Sequence, residues 1–164
     1  VRAAFLMAIL KIESDWGGNV GTGNWRIDMH PRDFNAFQII TSALGLNPDS
    51  TPVSKKPYYG WGGAMGPAQF LPTTWLLYAD AAANLTGRRP PSPWNIGDAF
   101  TASGLMLAES GADKQTYAAE SKAAKIYIAG RRWNTSLTAR IYANNVMAEA
   151  GRIQKDIDIL NQSK

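Results

Sequence analysis

The sequence contains no cysteine and only one histidine, His30. Disulfide frameworks, thiolate metal sites and multi-histidine metal centres are therefore excluded, and we expect neither a metal nor a cofactor. No run of apolar residues is long enough to span a membrane, and no signal peptide is visible. Because Val1 already stands in a helical pattern, we interpret the chain as a fragment of a longer protein, with a signal or anchor expected outside it.

Charged residues are few, at 18%, against 45% hydrophobic residues. This composition is typical of a globular protein, and 164 residues are enough for one domain with a substantial core. The net charge is +4. The positive excess fits either a solvated surface or attraction to an anionic polymer. Since no nucleic-acid-binding motif accompanies the charge, we do not expect nucleic acid as a partner.

Apolar residues recur at helical spacing through most of the chain, which predicts a mainly α domain spanning residues 1–164. Two segments rich in glycine, asparagine or proline predict long loops, with at most minor β structure. Tyr58, Tyr59 and Trp61 in the second loop suggest either a satellite core or a sugar-binding platform. Residues 152–164 are polar and are expected to protrude as a helix or linker. The predicted helices cover about 6–13, 33–44, 72–84, 95–110, 114–129 and 136 onwards. The predicted loops cover 19–31 and 47–63, and short strand pieces are possible within 19–30 and 52–62.

The first predicted helix ends on a carboxylate. Leu6, Ile9 and Leu10 form an apolar face, and Glu13 is the next member of that face, just before the glycines at 17 and 18. Partial burial there would raise the pKa of Glu13, and a general acid must keep its proton at neutral pH. The alternative is an ordinary exposed glutamate at a fraying helix end.

Two motifs resemble those of lytic transglycosylases, the lysozyme-like enzymes that cleave peptidoglycan. The first is Glu13-Ser14, followed closely by glycine. The second is the segment from Gly62 to Trp75, GGAMGPAQFLPTTW, which is most similar to the membrane-bound transglycosylase B type. The resemblance implies a lysozyme-like fold of the goose-type or soluble transglycosylase kind, with Glu13 as the catalytic residue. It also places Gln69 in the substrate cleft, where an amide can donate to and accept from sugar hydroxyls.

Further substrate-binding residues follow from the same resemblance: Ser14, Met65, Phe70, Tyr127 and Tyr142. The alternative for Met65 and Phe70 is a position in the core, and the alternative for each tyrosine is burial of its ring in the core. The chain departs from the family pattern at two places. Residues 124–130, AKIYIAG, resemble a third family motif, and Ile128 stands where that motif usually has asparagine. Gly60 stands where the B type has serine, nine residues before the glutamine.

The resemblance implies a reaction with one carboxylate. Glu13 would first protonate the bond between N-acetylmuramic acid and N-acetylglucosamine, and would then deprotonate the C6 hydroxyl that closes a 1,6-anhydro ring. The partners would be peptidoglycan glycan strands, and the protein would act on them as a monomer outside the cytoplasm. One alternative is a hydrolytic muramidase of the goose type, in which Asp28 or Asp33 positions water. The other is a peptidoglycan-binding module without activity.

Overall fold

The computed structural model describes residues 1–58 and 60–162; Tyr59 and the end of the predicted protruding segment, residues 163 and 164, lie outside the described residues. Helix accounts for 64% of the structure and no strand forms in its described part, so the predicted mainly α class is confirmed. The α-helices found there are α1 (Ala3–Ser14), α2 (Trp25–Asp28), α3 (Phe34–Ala43), α4 (Pro72–Thr86), α5 (Ile96–Glu109), α6 (Tyr117–Ala129) and α7 (Leu137–Gln162). Single 3-10 turns cover Pro31–Asp33, Ala112–Lys114 and Gly130–Arg132.

Local capping explains where several helices begin and end. The Asn95 side chain accepts a hydrogen bond of 3.1 Å from the Asp98 amide and so caps α5. Pro72 occupies the first turn of α4. The predicted helix from residue 114 starts later, because Thr116 caps α6 through the amide of Ala119 at 3.3 Å. The short helix α2 lies inside a segment predicted as loop.

The chain divides into two compact units, with boundaries inside α1 and α5. Unit 1 comprises Val1–Ile12 and Ser103–Lys164, and unit 2 comprises Glu13–Ala102. In unit 1, α6 packs along α7 through fully buried alanines that let the two backbones approach closely. These alanines are Ala123, Ala124, Ala139 and Ala143.

An ion pair ties the start of unit 1 to its later helices. Both nitrogens Nε and Nη2 of Arg2 donate to the buried Glu120 carboxylate, at 3.0 and 2.7 Å. Its Nη1 donates to Gln154 at 3.0 Å. The hydrogen bond to Glu120 raises the pKa of Arg2 above its usual range, so the guanidinium stays charged throughout the accessible pH range.

Aromatic rings form much of the core of unit 2, where α3 packs against α4. The Trp25 ring meets the edge of Phe34 and also contacts Phe37, with centroids 4.9 and 5.8 Å apart. The indole of Trp25 donates to Asp49 at 2.9 Å, and Arg26 donates to the same oxygen at 2.9 Å. Both bonds lower the pKa of the Asp49 carboxyl, and the bond from Arg26 has the larger effect. The short helix α2 is therefore fixed by tertiary contacts that a local pattern does not reveal.

The last helix continues unbroken through the predicted protruding segment as far as Gln162. Its apolar stripe is buried at Ile153, but Leu160 is 66% exposed. No helix in the described ranges, α7 included, combines the length and apolar character that crossing a bilayer requires.

Candidate active site

Glu13 is the next-to-last residue of α1 and is half-buried. The helix ends directly behind it, because Asp15, Trp16 and Gly17 all adopt positive φ angles of 55°, 54° and 94°. Such angles are uncommon for residues with a side chain, so this turn is held by its surroundings. The predicted helix end therefore exists, and it places the carboxylate on the last turn.

Ser14 fixes the end of α1 to a distant part of the sequence. Its hydroxyl donates to the carbonyl of Pro67, 53 residues away, at 2.6 Å. The same oxygen accepts a bond of 2.8 Å from the Gly17 amide. Ser14 is only 3% exposed, and both of these hydrogen bonds of its hydroxyl stabilise the fold.

The turn that Ser14 contacts carries Gln69. Met65 and Phe70 exchange backbone hydrogen bonds of 2.9 and 3.2 Å, which close a tight turn between them. Inside it, the Gln69 amide and the Gln69 side-chain nitrogen both donate to the carbonyl of Gly66, at 3.1 and 2.9 Å. Gln69 itself has a positive φ of 51°. The turn thus holds the Gln69 side chain in one orientation, on strained backbone.

Three backbone segments come unusually close together beside this turn. Gly23 and Val53 pair through bonds of 2.7 and 3.3 Å, and the Ser54 amide donates to Ala64 at 2.8 Å. The approach requires glycine, because a Cβ on Gly21 would lie 2.5 Å from the Val53 carbonyl oxygen. Among the described residues of these segments, the expected short strand pieces are present as isolated pairs, such as Gly23 with Val53.

An open cavity of about 290 Å³ lies within unit 2 between these segments and the end of α1. Glu13 and Gln69 both line it, so the structure brings the two motifs to one place. The other lining residues are Asn19, Gly21, Thr22, Ser54 and Lys55. Sequence reasoning missed these five; their signal is the glycine-rich segment 17–23, together with the adjacent lysines 55 and 56.

Two other predicted substrate contacts are core residues. Met65 is completely buried, and Phe70 is 3% exposed with its ring against the edge of Trp75, centroids 5.6 Å apart. Ser14 is buried in the same way, and contact of these three residues with a substrate stays a prediction. The apolar side chains of Met65 and Phe70 and the hydroxyl of Ser14 all stabilise the turn that carries Gln69.

The two predicted tyrosines belong to unit 1, where both are half-buried. The Tyr127 hydroxyl lies 3.2 Å from that of Ser103. Ile128, which replaces the usual asparagine of the family motif, is exposed. The proposed contacts of Tyr127 and Tyr142 with a substrate therefore stay predictions.

The carboxylates considered for positioning water are engaged in the fold of unit 2. Asp28 accepts bonds from the backbone amides of Asn24 and Lys56, at 2.7 and 2.8 Å. Asp33 is buried, and its Oδ1 accepts from the amide and the hydroxyl of Thr73, at 3.2 and 2.6 Å. Neither residue lines the cavity that contains Glu13.

Tyr58 and Trp61, the aromatic residues of the second loop that the structure describes, are both exposed. Tyr58 is fully exposed, so it is not part of a satellite core. Trp61 is 46% exposed; the Lys56 ammonium lies 3.9 Å from its ring centroid and His30 packs at its edge, 5.2 Å away. His30 also accepts a bond of 3.1 Å from the Arg32 amide, so it is a structural loop residue.

In the parts of the chain that the structure describes, no three histidine, aspartate or glutamate side chains cluster as a metal site. The chain matches no protein-family model, no curated protein and no solved structure in the comparisons.

Proposed function

We propose that this protein is a peptidoglycan lytic transglycosylase with a lysozyme-like fold, acting on glycan strands outside the cytoplasm. The observation that carries the proposal is that Glu13 and Gln69, from two separate motifs, line one open cavity. The bond from Ser14 to Pro67 supports it, because it fixes the helix end that bears Glu13 to the turn that bears Gln69. Strained backbone at Gln69 is a further supporting feature, since such strain is often found at functional sites.

In the proposed reaction Glu13 acts twice. As the acid, it gives its proton to the oxygen that links N-acetylmuramic acid to N-acetylglucosamine, and that bond breaks. The acetamido oxygen of the muramic residue attacks C1 and forms a cyclic oxazolinium. Glu13, now a carboxylate, accepts the proton of the C6 hydroxyl, whose oxygen attacks C1 and releases the acetamido group. The product is a 1,6-anhydro sugar, and Glu13 regains its proton without using water.

The other lining residues fit sugar recognition in this scheme. Gln69, Asn19 and Thr22 offer amide and hydroxyl groups that can bond to ring hydroxyls and acetamido groups. Lys55 supplies a cation at the same cavity, suited to the carboxylates of the stem peptides attached to muramic acid.

The alternative of a hydrolytic muramidase has less support. It needs a second carboxylate to activate water on the far side of the sugar. Asp28 and Asp33 were the sequence candidates, and the observed bonds of both stabilise loops and a helix start. In contrast, the C6 hydroxyl belongs to the substrate itself and has the advantage of intramolecular attack.

Replacement of the acid tests the proposal. Glu13→Gln removes the proton donor while keeping the shape of the side chain, and we expect cleavage of purified peptidoglycan to fall by at least about 10²–10⁴-fold. Glu109→Gln, an exposed glutamate at the end of α5, is the matched control and should retain normal activity. Circular dichroism must show the same helix content in both variants. Near-normal cleavage by Glu13→Gln would contradict the proposal.

A further inference from the structure

The positive charge of the chain is concentrated in one segment. Residues 121–148 contain five cations and none of the 13 acidic residues. The remaining residues carry twelve cations and thirteen acids, so the whole positive excess of the protein resides in this segment. We call the five cations the basic surface: Lys122, Lys125, Arg131, Arg132 and Arg140.

The fold of unit 1 brings two of these five cations to one small cavity. Lys125 comes from α6 and Arg140 from α7, and both line a cavity of about 100 Å³. Thr135 and Ser136 add hydroxyl groups to its wall, and Asn134 adds an amide. Such a cavity has room for one small anionic group, with cations and neutral donors on several sides.

The basic surface is not neutralised by its neighbours. Within residues 1–58 and 60–162, no carboxylate forms a salt bridge with any of the five cations. Most of them are exposed; Lys125 is half-buried against the cavity. Uncompensated charge of one sign on a surface costs folding stability through repulsion, and it attracts polyanions.

The aromatic ring at this surface helps to identify the polyanion. Trp133 lines the cavity and is half-buried. The Lys122 ammonium lies 5.3 Å from the centroid of its ring, so one ring face is already covered. Proteins that bind single-stranded nucleic acids usually stack bases on free aromatic faces. Phosphate recognition by arginine, lysine and hydroxyl groups needs no free ring.

We propose that the basic surface binds a phosphodiester polymer of the cell wall, with one phosphate in the cavity lined by Lys125 and Arg140. The choice of a wall polymer rests on the proposed function, while the phosphodiester chemistry rests on the basic surface itself. A polymer with repeated phosphates would engage the other cations of the surface in turn and release bound counterions.

The test compares two double variants with the same net charge. Lys125→Gln/Arg140→Gln removes the two cations at the cavity, and Lys114→Gln/Lys155→Gln removes two exposed lysines elsewhere. Binding of fluorescent poly(glycerol phosphate) is measured by anisotropy at several salt concentrations. We expect the cavity variant to bind about tenfold more weakly, with a salt slope smaller by about two, and the control pair to bind like wild type.

Equal weakening in the two variants would show attraction by net charge alone and would overturn the proposal. Tighter binding of an oligothymidylate with as many phosphates would also overturn it, in favour of nucleic acid. If the cavity variant does not fold, Arg131→Gln/Arg132→Gln, on the 3-10 turn Gly130–Arg132, replaces it with the same expected result. The glycerol phosphate polymer has no glycosidic bond, and cleavage is assayed on glycan without it. Failure of one proposal is therefore distinguishable from failure of the other.

Discussion

Gly66 gives the sharpest test of how the cavity of unit 2 is built. It has a φ of +64°, and a Cβ on it would lie 1.8 Å from the carbonyl oxygen of Pro93. Gly45 is the matched control, because its φ is +66° and a Cβ there would meet nothing within 4 Å. Alanine at either position therefore carries the same backbone strain, and only Gly66→Ala adds a clash with rigid backbone.

The backbone strain and the clash with Pro93 each have a rough magnitude. A left-handed conformation costs an alanine about 1–2 kcal/mol, which is the whole effect expected for Gly45→Ala. A Cβ at 1.8 Å from an oxygen forces the backbone to move, and overpacking of this kind adds about 1–3 kcal/mol. We therefore expect Gly66→Ala to lower the free energy of unfolding by about 2–5 kcal/mol. Cleavage activity should fall as well, because the same shift displaces the turn that holds Gln69.

Urea denaturation followed by circular dichroism measures the free energy of unfolding of both variants. A parallel peptidoglycan-cleavage assay should show a loss for Gly66→Ala and none for Gly45→Ala. If the two variants lose the same stability, the close approach between Gly66 and Pro93 is not a feature of the folded protein, and the reasoning fails.

Ser14→Ala should lower the free energy of unfolding by about 2–4 kcal/mol, because the Pro67 carbonyl and the Gly17 amide both lose their hydrogen-bond partner. Ser50→Ala, at an exposed serine, is the control and should cost little in the same urea titration. Gln69→Ala should lower kcat/KM for peptidoglycan less than Glu13→Gln does, since it removes positioning and leaves the proton donor; an unchanged kcat/KM would remove Gln69 from the site. Folding lowers the pKa of Asp49 below its unfolded-state value of about 4. The Asp49 carboxylate therefore stabilises the fold fully above that unfolded-state pKa, and this contribution is lost as the pH falls through the lower folded-state pKa. Thermal unfolding of Asp49→Asn should therefore depend less on pH in that acidic range than wild type does.

Local patterns in the sequence predicted the position of Glu13 and every α-helix in the described residues except the short α2. The spacing of Ile9, Leu10 and Glu13 and the following glycines are sufficient to place a carboxylate at a helix end, because both signals act within a few residues. That Gln69 lines the same cavity was predicted only through the family motif. Periodicity alone gives no information about residues so far apart in sequence.

Long-range packing accounts for what the sequence did not reveal. The partner of the Ser14 hydroxyl is 53 residues away, so its structural role was not predicted. The burial of Met65 and Phe70 depends on the tight turn between them, and apolar residues in a turn look alike whether they face a sugar or the core. Lys55 reaches the cavity through glycines that allow backbones to meet, and no local pattern predicts that pairing.

Mass spectrometry of the products released from purified peptidoglycan tests the central claim most directly. The proposed mechanism predicts muropeptides that end in 1,6-anhydro-N-acetylmuramic acid, each lighter by one water than the hydrolytic product, and none from Glu13→Gln. Reducing-end N-acetylmuramic acid as the main product would contradict the proposed reaction and identify a muramidase. Absence of both products from the wild-type protein, with retained binding to cell walls, would contradict the assignment of an enzyme.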